Sequence, residues 1–292
     1  MRKALLFVLI LASNLAYTQD NLLDLIDENE KPQEVMSTFK GTRIILGHSV
    51  KMKAKKELEF LITHRFGRIN SGSHNLWGLD NAFIRLGLEY GLSDKLNIGI
   101  GRSSFDKTYD SFLKYKLARQ TKGSGSFPVS LVLFNSFTIK TTPKSEDSPE
   151  VAFNDRLANV SQLLISRKIN SLVSVQLMPT YIYKSTVEEG FENSQLALGV
   201  GGRVKLTPRL AFNAEYYYRL DAPESIFTNS FSLGFDIETG GHVFQLHFTN
   251  SIMTVERAFI TETSDDFFDG DIHFGFNISR TFNLGSKKEK SW

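Results

Sequence analysis

His247 and His273 are the histidines whose spacing could bring two imidazoles together. Each sits on the polar parity of an alternating stretch. Phe244, Leu246 and Phe248 oppose Gln245, His247 and Thr249, while Phe274, Phe276 and Ile278 oppose His273, Asn277 and Ser279. Successive strand side chains point to opposite faces, so both rings would face one side, where imidazoles could hold a metal ion or a haem edge. No further ligand follows at a completing spacing, so neither a metal nor a cofactor is expected. Asp265, Asp266, Asp269 and Asp271 crowd one connection, but Phe276 stands where a calcium loop needs its closing glutamate. His64, His74 and Ser73 carry hydrolase-type groups without a nucleophile-elbow pattern, and the chain has no cysteine. No enzyme is expected.

The largest set of chemistry-bearing groups is a row of charges on the same polar parity: Arg85, Glu89, Lys114, Lys116, Arg203, Lys205, Glu215, Arg219, Asp236 and Glu238. Mixed signs along one face suit a pore lining that tunes ion passage. They equally suit a network of ion pairs filling a narrow lumen.

Those charges need strands of roughly ten residues to carry them, apolar on one face and polar on the other, the signature of a membrane β-barrel. Segments of this kind lie at Glu57–Phe66, Asn81–Tyr90, Leu96–Phe105, Tyr109–Arg119, Pro128–Ile139, Arg156–Lys168, Leu172–Tyr183, Ser194–Leu206, Arg209–Arg219, Thr228–Glu238, His242–Asn250 and Ile272–Phe282. Tight turns and longer connections join them in alternation, which places the tight turns in the periplasm and the long loops outside. Single-chain bacterial barrels have even strand counts. The strand-like Gly41–Val50 would make the count odd, so it is assigned outside the wall, in the periplasm or the lumen. About 12 strands are expected, with 14 as the alternative.

Parity turns Leu198, Phe212 and Phe235 toward lipid and Asn213 and Gln245 inward. Arginine at the last two positions is expected to be tolerated. The run Leu163-Leu164-Ile165 breaks alternation and predicts a bulge. Pro179 inside a segment is read as the outer rim. Trp77 in Gly67–Asp80, and Phe259 and Ile260 in Ser251–Asp271, make these loops apolar enough to fold into the pore or cover a gap in the wall.

Residues 1–18, with a basic start and a short apolar core, read as a signal peptide. Residues 19–56 follow as a periplasmic or lumenal segment, 57–282 as the barrel and 283–292 as a polar tail. The net charge of +2 gives no reason to expect a nucleic-acid partner.

"LWGLDNAFIRLGLEYGLSDKLNIGIGRS" (Leu76–Ser103), "YDSFLKYKLARQ" (Tyr109–Gln120), "ETGGHVFQLHFTNS" (Glu238–Ser251) and "GDIHFGFNISRTF" (Gly270–Phe282) resemble the Gram-negative outer-membrane barrel family known as domain-of-unknown-function family 5777. The resemblance runs over nearly the whole chain after the leader. It implies an all-β, antiparallel up-and-down barrel in the bacterial outer membrane and no established activity. The expected function is a narrow passive channel or small-solute transporter in contact with the lipid bilayer. The alternatives are a closed anchoring barrel that binds a periplasmic protein through residues 19–56, and, third, an outer-membrane enzyme.

Overall fold

The computed structural model describes residues 32–142, 152–187, 190, 192–220 and 226–285. The leader, residues 19–31, the tip of the Lys140–Asp155 loop and the tail from 286 lie outside the described residues. In chain order the strands are β1 (Gln33–Glu34), β2 (Glu57–Arg68), β3 (Ala82–Gly91), β4 (Leu96–Ser103), β5 (Tyr109–Ala118), β6 (Thr121–Lys122), β7 (Ser130–Ile139), β8 (Leu157–Lys168), β9 (Val173–Lys184), β10 (Ser194–Lys205), β11 (Leu210–Arg219), β12 (Phe231–Thr239), β13 (His242–Thr249) and β14 (His273–Asn283), with one α-helix among the described residues, α1 (Glu256–Thr261), and a few short 3-10 turns. Twelve of them close an antiparallel barrel, each pairing with its sequence neighbour. The last, β14, seals against β2, with Asn283 opposite Glu57. The remaining pair, β1 and β6, forms a small ribbon at the tight-turn end. The count is twelve, and Gly41–Val50 stands outside the wall, as its parity argument required. Among the described residues no helix is long and apolar enough to cross a membrane; the strands do that.

Alternation holds around the wall. Leu86, Leu88, Ile98, Ile100, Leu196 and Leu198 are exposed on the outside, while Arg85, Glu89, Asn97, Gln195 and Arg203 are buried on the inside. Tyr109, Tyr181, Tyr183 and Tyr218 lie exposed toward the long-loop ends of their strands, at the interfacial level where aromatic rings settle.

Two expectations need correction. No bulge interrupts β8: its pairing with β7 is continuous from Leu157 to Ser166. Leu163 and Ile165 face outward and Leu164 faces inward, fully buried. Three apolar residues in a row arise because both faces are apolar here. The register shifts fall instead at Lys116–Ala118 and His273–Gly275. Pro179 is not at the rim. It sits mid-strand opposite Leu198, and the β8–β9 ladder is broken between Thr180 and Leu177, as a residue with no N–H to donate requires.

The hydrophobic core lies inside the barrel. Phe112, Val132, Phe134, Val160, Leu164, Met178, Ile182 and Tyr217 of the wall pack on Phe39, Ile44, Ile45 and Leu46 of the N-terminal segment and on Phe259 and Ile260 of α1. Burying each large apolar side chain favours the assembly by about 1.5–3 kcal/mol. The chain fills its own lumen from both ends.

Candidate functional site

The site is the filled lumen. Residues 38–53 enter from the tight-turn mouth and fold back as a small hairpin. Ile44 N–H donates to Gly47 O at 2.9 Å and Ser49 N–H to Thr42 O at 2.9 Å, with Arg43 bridged to His48. So short a hairpin leaves most of its main chain unpaired, and buried main-chain groups must find partners. The inward side chains of the wall supply them. Glu215 accepts from Ile45 N–H at 3.0 Å and Gly47 N–H at 2.8 Å. Gln245 donates to Ile44 O at 3.0 Å and Asn277 to Ile45 O at 2.9 Å. Gln176 clamps the returning arm, donating to His48 O at 2.8 Å and accepting from Val50 N–H at 2.9 Å. Gly47 is the closest approach: a Cβ there would stand 2.0 Å from the Tyr217 hydroxyl.

Charges fasten the plug at its sides. Lys53 Nζ lies 2.7 Å from Glu59 Oε1, and Thr42 donates to Glu59 Oε2 at 2.5 Å. From the opposite end, loop 250–272 turns inward as α1, whose Phe259 meets Tyr217 edge-on at 5.2 Å. The two insertions join through a buried ion pair, Arg43 to Glu256. Beside Arg43, His48, Glu59 and Arg85 a cavity of about 10 Å³ remains, room for about one water.

All ten charges predicted to face the lumen do so or stand at its mouths, and most are engaged by the plug or by other groups of the barrel. Arg85 pairs with Asp110, Nε to Oδ1 at 2.8 Å. Lys114 donates to Thr42 O and Lys51 O, each at 3.3 Å, and lies 3.4 Å from Glu89. Asp236 accepts from Gln245 at 2.8 Å, and Glu238 pairs with Lys40 of the plug. Lys116 at the tight-turn mouth donates to Asp94 O, and Arg219 at the far mouth to Phe227 O. Arg203 is buried, and Lys205 half-buried beside it at the mouth.

His247 and His273 both face inward, but His273 is engaged by Asp265, Nε2 to Oδ2 at 2.6 Å, and by Phe66 O at 2.8 Å. Asp265 also accepts from Arg68 at 2.8 Å. Among the described residues no His, Cys, Asp and Glu group is arranged to hold a metal. His64 faces outward, stacked on Phe276. The sequence reading missed Arg43, Glu59, Gln176 and Glu256. The available signal was the apolar run Ile44–Leu46 in a segment assigned outside the wall, which must be buried somewhere.

One group in the plug titrates usefully. His48 lies between Phe112 and Phe134, tilted against both, with centroids at 4.5 and 4.3 Å. Burial, reinforced by Arg43, Lys114 and Arg85, holds its imidazole well below the ordinary value. Glu256 lies 3.5 Å away but is committed to Arg43. Seated, His48 stays neutral; released, it titrates near its usual ~6.5. Below that pH the released form takes up a proton the seated form refuses, so seating weakens by about 1.4 kcal/mol per pH unit, with no effect above it. Plug exposure should therefore rise between pH 7 and pH 5, and His48→Phe should flatten the response. A response of equal slope in that variant would refute the assignment to His48.

A family model described as a membrane-bound β-barrel domain (DUF5777) matches residues 39–282, so the matched span takes in the plug hairpin as well as the wall. Among curated proteins none matches the chain. Among solved structures the NanC porin is similar over 77% of this chain and 98% of its own, at 8% identity and a TM-score of 0.48. The KdgM porin is similar over 77% and 99%, at 8% identity and 0.46. An outer-membrane channel from Pseudomonas putida is similar over 80% and 97%, at 13% identity and 0.47.

Proposed function

The chain belongs to the membrane-bound β-barrel domain family (DUF5777), and from that premise we propose that this outer-membrane barrel is a small-solute conduit closed by its own N-terminal segment. The observation that carries the reading is how residues 42–50 are held. Their main chain is bonded to side chains of the wall: Glu215, Gln176, Gln245 and Asn277. These wall groups can exchange the plug for water without breaking any strand pairing. Each such hydrogen bond contributes only about 0.5–1.5 kcal/mol net, so the plug is separable in a way the wall is not.

Barrel size supports the same reading. Eight strands make an interior that side chains fill by themselves, whereas larger barrels leave a lumen that is either an open channel or closed by a separate plug. Here two separate segments fill it. With residues 38–53 withdrawn, the lining would be the mixed charges Glu59, Arg85, Glu89, Lys114 and Glu215, a polar path that suits small hydrophilic solutes.

Planar-bilayer recording tests the proposal. The full chain should be mostly silent. A variant lacking residues 32–52 should give stable conductance steps, kept small by α1 from the other end. Silence in both proteins, with barrel assembly verified by heat-modifiability, would sink the conduit reading.

A further inference from the structure

We propose that the periplasmic mouth of the lumen holds a binding site for a small soluble polyanion, built on Arg203 and completed by Lys122, Lys168 and Lys205. The geometry starts from strand register. Arg203 on β10 pairs with Ser174 on β9, and Ser174 pairs with Lys168 on β8. All three face inward in one row, so the two cations stand two strands apart, about 10 Å between backbones. Lys205 is the next inward residue on β10 toward the mouth. Lys122 belongs to the ribbon with Gln33 at the same end. The charges of Arg203, Lys122, Lys205 and Lys40 all act on Lys168.

Among the described residues this cluster has no carboxylate in contact, although Asp236 and Glu238 act on Arg203 from further away. Arg203 is 5% exposed, and among the described residues its Nε has no hydrogen-bond partner. Among the described residues no carboxylate lies within 4.0 Å of Arg203, Lys122, Lys168 or Lys205, whereas most other buried cations of the lumen have one. Of Asp236 and Glu238, Glu238 pairs with Lys40, and Asp236, bonded to the neutral amide of Gln245, is the one carboxylate among the described residues left to balance the four cations from a distance. Among the described residues Lys168 offers its ammonium to Met36 O alone, at 3.0 Å. A buried guanidinium N–H without an acceptor is costly, and an anionic oxygen would satisfy it with a charge-assisted bond. A single monoanion would leave the other cations unpaired. The arrangement therefore fits a molecule with two or more phosphate or carboxylate groups, able to span the row from Arg203 to Lys168. The inward orientation points to a soluble ligand rather than a lipid headgroup. The proposal deepens the conduit reading by naming a solute class, but binding can be measured on the closed barrel.

Isothermal titration of the full chain in neutral detergent, with tripolyphosphate as the phosphate probe and citrate as the carboxylate probe, tests it. Binding of at least one probe should weaken with salt, fall at least tenfold in Arg203→Gln, and fall further when Lys205→Gln is added. Lys168→Gln with Lys205→Gln, both half-buried at the mouth, carries the test if the Arg203 variant does not assemble. Lys107→Gln at the opposite end should bind as the parent does. Absence of binding by the parent, or undiminished binding by the mouth variants, overturns the proposal. Displacement of the probe by short-chain phosphatidylglycerol at equal potency also overturns it, by assigning the cluster to lipid. Binding without conductance in the plug deletion would retain this site and remove the conduit reading.

Discussion

Replacing Arg43 by methionine is expected to loosen the plug by about 3–5 kcal/mol, the usual cost of removing one member of a buried ion pair. Arg43 and Glu256 are 6% and 4% exposed and belong to the two separate insertions. With Arg43 gone, the Glu256 carboxylate is stranded beside a neutral His48. Its cheapest escape is rehydration, which requires the plug or α1 to move. Replacing both partners, Arg43→Met with Glu256→Leu, should be nearly neutral, because no buried charge is left over. The chain has no cysteine, so Ser49→Cys gives a label without background at a fully buried plug position. Maleimide labelling of that thiol should accelerate at least a hundredfold in the Arg43 variant, since 1.4 kcal/mol is tenfold. It should return close to the parent rate in the double variant. Equal labelling in parent and single variant would show that the pair does not hold the plug.

The wall was legible because a closed barrel imposes one rule on every strand. Lipid outside and polar groups inside make parity visible in sequence, as Leu196, Leu198 and Val200 against Gln195 and Arg203 illustrate. The even-count rule then decided the fate of Gly41–Val50. The lumen was less legible for the same reason. Phe112, Phe134, Leu164 and Ile182 face inward, and on a wall expected to be polar inside they blur parity or suggest a bulge. Nothing local distinguishes a lipid-facing leucine from one packed on a plug. Arg43 and Glu256 are 213 residues apart, with no periodicity linking them. Their pairing depends on two loops entering from opposite mouths, which strand patterns do not encode. The cations at the periplasmic mouth were half visible. Arg203 and Lys205 were assigned inward, but their convergence with Lys168 and Lys122 needs the strand register.

Arginine substitutions at lipid-facing and lumenal positions should both be harmful, and by different routes. At Leu198, Phe212 or Phe235 an arginine meets hydrocarbon, costing about 2–4 kcal/mol near the midplane. The wall itself should fail, seen as loss of the heat-modifiable band. At Asn213 or Gln245 the sequence alone suggests tolerance, because the lumen reads as wet. The structure reverses that expectation. Both side chains are buried, and both donate to Ile44 O, at 3.4 and 3.0 Å. An arginine there adds volume and charge where the plug tip sits. It can be accommodated only if the plug leaves and water enters. The barrel should therefore still assemble and keep its heat-modifiable band, while Ser49→Cys becomes labelled and conductance steps appear. Two readouts thus separate the wall from what fills it. Tolerance at Asn213 and Gln245 on both measures would mean that the lumen is wet and the plug lies elsewhere. Loss of the band at all five positions would mean that the plug is part of what holds the barrel together.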